Sequence, residues 1–167
     1  MKKTTYKLSA ILLILVLITA CTHAKLMTIG ADKLGYVSVK GDWTEGKIDE
    51  NSAFFTDNMS GATIGFLNFG PADEETTTDI ALEAFMDSAM ENNSVTREQF
   101  KVEKDIKIGE YNAQKASVVV DDDKSIAWVF ADSENVIHAV VLNVTAEKAT
   151  RIVVEIEKSF SMSKPAA

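Results

Sequence analysis

PADEETTTDIALEAFMDSAMENNS, residues 71–94, is the stretch in which the hydrophobic period of this chain changes. Leu82, Phe85, Met86, Ala89 and Met90 recur at spacings of three and four, which predicts a helix with one buried face. Thr76, Thr77 and Thr78 offer hydroxyls to cap its start. Asp73, Glu74, Glu75 and Asp79 lie before or in the first turn, where negative charge suits the positive end of the helix dipole. Asn92-Asn93 is a stop signal.

Outside this stretch the chain reads as strands. Upstream, YVSVKGDW (36–43) places Tyr36, Ser38 and Lys40 on one side and Val37 and Val39 on the other, and runs into a turn at Gly41-Asp42. SAFFTDNMSG (52–61) is a short aromatic strand with a turn at its end. ATIGFLNFG (62–70) sets Ile64 and Phe66 against Leu67 and Phe69. Downstream, QFKVEKDIKIG, NAQKASVVVDD, SIAWVFADS and VIHAVVLNV are four extended segments joined by short turn-like links, which favours antiparallel hairpins. The closing stretch TAEKATRIVVEIEKSFSM (145–162) returns to helical spacing, with Ala149, Ile152, Val153, Ile156 and Phe160 on one face. Its β-branched content opposes a helix, but periodicity outweighs that weak propensity. The expected class is α+β, an antiparallel meander with two amphipathic helices in the order βββαββββα. Apolar residues on both strand faces, such as Val118 and Val120 against Val119, predict cover on both sides of the sheet, one helix to each.

The beginning of the chain is of another kind. MKKTTYK carries Lys2, Lys3 and Lys7, and Leu8 to Ile18 is nearly all apolar. Thr19, Ala20 and Cys21 follow. A basic start, a short apolar core and small residues at its end make a secretory signal. The run is shorter than the roughly 20 residues a transmembrane helix needs. Ile18-Thr19-Ala20-Cys21 resembles the prokaryotic lipobox, and that resemblance implies lipid on the Cys21 thiol, with acyl chains such as palmitate, and cleavage between Ala20 and Cys21. Cys21 is the single cysteine, so a chance position at the end of the apolar core is improbable. The domain expectation is a signal peptide at 1–20, a short tether at 21–34 and one α+β domain at 35–163.

Composition bounds the function. The net charge is −8, and removing residues 1–20 takes away three lysines and no acid, leaving −11 on 147 residues. Such a surface repels nucleic acid and anionic head groups, and no basic stripe appears. Cleavage leaves no thiol to form a disulfide within the chain, so packing alone must hold the domain.

Beyond the element order, Trp43 just after the first strand, GEYNAQKA at 109–116, the strand Trp128–Phe130 and the closing helix ending in Ser159-Phe160 resemble the PsbP-like fold, the sandwich of PsbP, DcrB and the LpqN-type lipoproteins. The resemblance spans roughly Gly35 to Met162. It implies an accessory or binding protein of an envelope or lumen, mostly without known catalysis, and carries over no site residue.

The chemistry-bearing residues are sparse. Two histidines, His23 and His138, cannot supply a zinc or catalytic cluster, and His138 is expected to be a partly buried strand residue. VVVDDDKS lacks the alternate acid spacing and the glycine of a calcium loop, so a solvated hairpin tip is expected. No G-x-S-x-G, phosphate loop or dinucleotide fingerprint occurs. Trp43, Trp128 and Phe130 are candidates for a ligand or partner surface, weighed against a plain core role. The expectation is a membrane-anchored, non-catalytic envelope lipoprotein that binds another envelope protein, with no metal or cofactor. It predicts an exposed apolar patch on the mature fold. The alternatives are a small-molecule carrier, with a pocket between sheet and helices near Phe66, Trp128 or Phe130, and less favoured a hydrolase acting on wall material.

Overall fold

A computed structural model describes residues 25–165. The expected signal at 1–20, with Ala20, and also Cys21 and His23 lie outside the described residues. Five strands come first: β1 (Leu26–Ala31), β2 (Gly35–Lys40), β3 (Trp43–Ile48), β4 (Ser52–Asp57) and β5 (Thr63–Pro71). Helix α1 (Thr78–Asn92) follows, then a turn of 3-10 helix at Arg97–Gln99. The chain continues through β6 (Lys101–Ile108), β7 (Tyr111–Val120), β8 (Asp123–Ala131) and β9 (Val136–Thr145), and ends in α2 (Ala146–Ser159). The class is α+β in the expected order of strands, helix, strands, helix.

Two strands escaped the reading of the sequence. Trp43 opens β3 beyond the Gly41-Asp42 turn, and Leu26–Ala31, assigned to the tether, is β1. β1 pairs antiparallel with β2 from Leu26↔Lys40 to Ala31↔Gly35 and buries Ile29. Leu34, in the turn between them, is buried too. Strand pairing therefore reaches back to Leu26, inside the stretch 21–34 expected to be a tether. The signal was faint because β1 alternates over only six residues and one of them is Gly30.

The seven remaining strands form one sheet, in the order β3-β4-β5-β9-β8-β7-β6, with every neighbouring pair antiparallel. It is two meanders rather than one. The α1 crossover carries the chain from the sheet centre at β5 to the far edge at β6, and the second meander returns until β9 meets β5. In β8 the strand period sends Ile126, Trp128 and Phe130 to one face and Ala127 and Val129 to the other.

The first face carries the larger core, roofed by α2 and the β1–β2 hairpin. Ile152, Ile156 and Phe160 pack with Trp128, Phe130, Phe66, Val37 and Val39. The Trp128 indole N–H donates to Glu157 Oε1 at 3.0 Å, and Lys115 Nζ lies 3.1 Å from the same oxygen and 2.9 Å from Glu103. Burial works against the charge on Lys115, but the two carboxylates outweigh it and raise its pKa. Ser159 Oγ accepts from Ser38 N at 2.8 Å and so ties α2 to the hairpin.

The second face carries a smaller core under α1, where Ala81, Leu82 and Met86 meet Ala116, Val129, Ile137 and Ala139. Thr77 is the N-cap, accepting from Ile80 N at 3.2 Å, as the threonine run predicts. Each helix covers one face, as the apolar strands require. The cover does not reach Val119, which is exposed beside the Asp121-Asp122 hairpin turn, so that residue is not evidence of a second covered face.

Candidate docking face

Helix α1 packs over β7, β8 and β9, which is only part of its side of the sheet. Beyond it, strands β4 and β5 point Phe54, Leu67 and Phe69 away from the larger core, and Phe54 is 42% and Phe69 41% exposed. Ile80, on the outer edge of α1, is 46% exposed. Between helix and strands runs an apolar groove of about 230 Å³, with Ala81, Ala84, Phe85 and Ser88 on its helix side. Leu67, Phe69, Ala127, Ala139 and Val141 line its sheet side.

Local sequence builds this shape. Gly65 is paired with Phe54 across β4 and β5, and a Cβ there would stand 2.7 Å from the Phe54 ring, so the missing side chain lets the ring lie flat on the sheet. A register shift between Asn68 and Gly70 sets Phe69 on a bulge. On α1, Ala81, Ala84, Phe85 and Ser88 share a stripe by helical spacing, mostly small residues that keep the groove open.

The groove lining is uncharged, and exposed acids occur on the segments that lead to it and along α1. Asp73, Glu74 and Glu75 link β5 to α1, and Asp87 and Glu91 stand exposed along the helix. None of these five is among the ion pairs formed within the described residues. No lysine or arginine lines the groove. The cations near α1 serve its other side, where Arg97 pairs with Glu83 and is held more strongly protonated by it.

A second concavity, about 580 Å³, opens at the β8–β9 turn and includes Lys33, Asn68, Tyr111, Asp132, Glu134 and His138. His138 is buried, stacked on Phe130 at 5.6 Å, with Nε2 3.0 Å from Asp132 Oδ2. Its Nδ1 has no hydrogen-bond partner among the described residues. Asp132 also accepts from the N–H groups of Glu134 and Val136, each at 2.9 Å. Burial pushes its pKa up, and these hydrogen bonds together with His138 overcome that and hold it below the ordinary value. Asp132 thus pins the turn, and among the described residues no serine is bonded to His138.

The aromatic residues singled out from sequence are not on a surface. Trp128 and Phe130 are 0% exposed and Trp43 is buried too, all three in the larger core. The strand period told which way they point but not that α2 and the hairpin would roof that side. Phe66, beside which a carried ligand was expected, is fully buried as well. Asp121 and Asp122 of VVVDDDKS form the β7–β8 turn, with Asp121 at φ 53°, and Asp123 opens β8. The docking face depended on residues the sequence placed in strands and helix without distinction: Phe54, Phe69 and Ile80. Their signal was surplus, because they added apolar side chains to faces already accounted for.

No family model matches this chain, and no curated protein matches it either. Among solved structures it is similar in fold to a protein from Bacteroides thetaiotaomicron VPI-5482, with a TM-score of 0.50 and 13% identity. The likeness covers 82% of this chain and 48% of the other, so this chain spans about half of that protein's length. At that identity the likeness concerns the fold alone. Among the described residues no helix is long and apolar enough to cross a membrane.

Proposed function

We propose that this protein is a lipid-anchored lipoprotein of a cell envelope, held at a membrane through Cys21, and that it works without catalysis by binding another envelope protein. The observation that carries this reading is the uncovered apolar half-face beside α1, where Phe54, Phe69 and Ile80 are each more than 40% exposed. Single exposed apolar residues are ordinary, but a contiguous patch on a helix-and-sheet groove marks an interaction site. The order of strands, helix, strands, helix agrees with the PsbP-like resemblance, and we group the chain with such accessory proteins on that basis.

The anchor is tested on the native protein. Intact mass should show a chain beginning at Cys21 with the added mass of two or three acyl chains, which together hold a membrane far more durably than the reversible grip of one. Cys21→Ser should move the protein from the membrane fraction to the soluble one. A chain that begins at Cys21 without lipid mass would sink the anchor.

A further inference from the structure

We propose that the open half-face between α1 and strands β4–β5 is the seat of a cationic amphipathic helix belonging to a partner protein. The inference rests on the binding-module reading and adds the chemistry of what is bound.

The vacancy has the form of a missing layer element. The opposite face of the sheet is covered by two elements, α2 and the β1–β2 hairpin, whereas α1 alone covers this one. Helix α1 reaches β7, β8 and β9, which leaves β3, β4 and β5 uncovered at the other end of the sheet. Packed helices lie about 8–10 Å apart, about the distance from β3 to β5, so one further helix fits there. The walls suit a helix as well: Ala81, Ala84 and Ser88 allow close approach on one side, and Phe54 and Phe69 offer bulk on the other.

An incoming strand has nowhere to pair. β4 lies between β3 and β5, and β5 between β4 and β9, so the main chain under the groove is already bonded on both sides. The true edges are blunted. β3 is bulged between Glu45 and Ile48, and β6 between Glu103 and Ile106, where Asp105 sits at φ 57° among lysines 101, 104 and 107. The face therefore presents side chains only, which is what a helix reads.

Charge chooses the partner. Glu74, Glu75 and Glu91 stand exposed beside the groove and outside every ion pair among the described residues, Asp87 shares its attraction with Arg97, and the whole chain bears −8. A second copy would bring the same acids to the same rim, and an anionic lipid surface would be repelled likewise. A helix with an apolar stripe flanked by lysine or arginine satisfies both groove and rim.

The test uses the full-length protein in the membranes of its own cells, with a photoreactive amino acid in place of Phe69 and, separately, of Val154, which is exposed on α2 across the sheet. The expected product at position 69 is a single partner protein crosslinked through the apolar face of a basic helix. The pair Glu74→Lys and Glu91→Lys, both at exposed sites, should lower its yield about tenfold while circular dichroism stays unchanged. A crosslink from position 69 to an acidic segment, to a strand, to a second copy, to lipid or to residues 1–24 of the same chain would overturn this occupant and leave a binding role standing. Crosslinks from position 154 alone would move the docking site to the other face and overturn the inference. Silence at both positions, with the protein intact and in the membrane, would remove the binding-module reading as well.

Discussion

At the scale of single residues, the strongest commitments are acids that each answer for several groups at once. Glu157 takes the Trp128 indole N–H and the Lys115 ammonium on one oxygen, so one side chain on α2 answers for two groups on the sheet. Glu157→Leu should leave both without that acceptor and lower stability by about 2–4 kcal/mol in urea unfolding, while Glu157→Gln, which keeps an oxygen for the indole, should cost less. Asp57 is the second such residue. Burial raises its pKa, but hydrogen bonds from Ser60 and from the N–H groups of Asp42, Met59 and Ser60 prevail and hold it low. Its carboxylate joins the β2–β3 turn to the β4–β5 turn, with Asp42 N at 2.8 Å. Asp57→Ala should therefore cost roughly 1–3 kcal/mol by the same measurement. Neither partnership was legible beforehand. Both acids looked like members of a large surface surplus, and only the pairing of distant segments shows which of them are spoken for.

At the scale of elements, α1 was readable almost to its ends. The three- and four-residue spacing, the threonine run and Asn92-Asn93 are local facts, and a helix is largely a local object. Thr77→Ala should remove the cap on Ile80 N and cost about 1 kcal/mol, seen as a lower Tm. The β6–β7 turn shows a different kind of constraint. Gly109 has φ 56°, and a Cβ there would stand 2.1 Å from the Phe160 carbonyl oxygen, while its N–H donates to Glu157 O at 2.7 Å. Gly109→Ala should cost more than the cap, about 1–3 kcal/mol from backbone strain before the clash is added. The turn residue is visible in GEYN as a turn signal. That α2 ends against it, and so forbids a side chain, depends on contact across about 50 positions of sequence, which no local pattern encodes. β1 was missed for a related reason: its six residues gain meaning only from the partner strand β2 and from β3 and β4, which they lie against.

At the scale of the whole molecule, charge balance sets the acid limit. Hydrogen bonds and attraction from Lys101 and Lys115 hold the Glu103 carboxyl down at about 2, against an ordinary value of 4.5. Asp57 and Asp132 are lowered too. A carboxylate whose pKa falls on folding lends stability that is complete above its unfolded value and is lost as pH drops through the folded one. Tm should thus hold from neutrality to about pH 5 and fall between about 4.5 and 2, with Glu103→Gln removing part of that slope. The contribution of Glu103 itself is modest, since its side chain is 30% exposed and solvent screens the pair. The uneven roofing of the sheet is also a property at this scale. It leaves one half-face without a layer, and that is where the proposed partner sits.

What the sequence by itself determined is what short range can carry: the α+β class, the helix caps, the order of the elements, and the basic-apolar-cysteine start that gives the chain its expected address. Hydrophobic period is written residue by residue, so it survives without a structure. The tertiary structure alone decided that Trp43, Trp128 and Phe130 are core, that Leu26–Ala31 is a strand, and that Phe54 and Phe69 remain uncovered. The period tells which side of a strand a residue faces. Whether anything covers that side depends on where segments far apart in the chain come to rest.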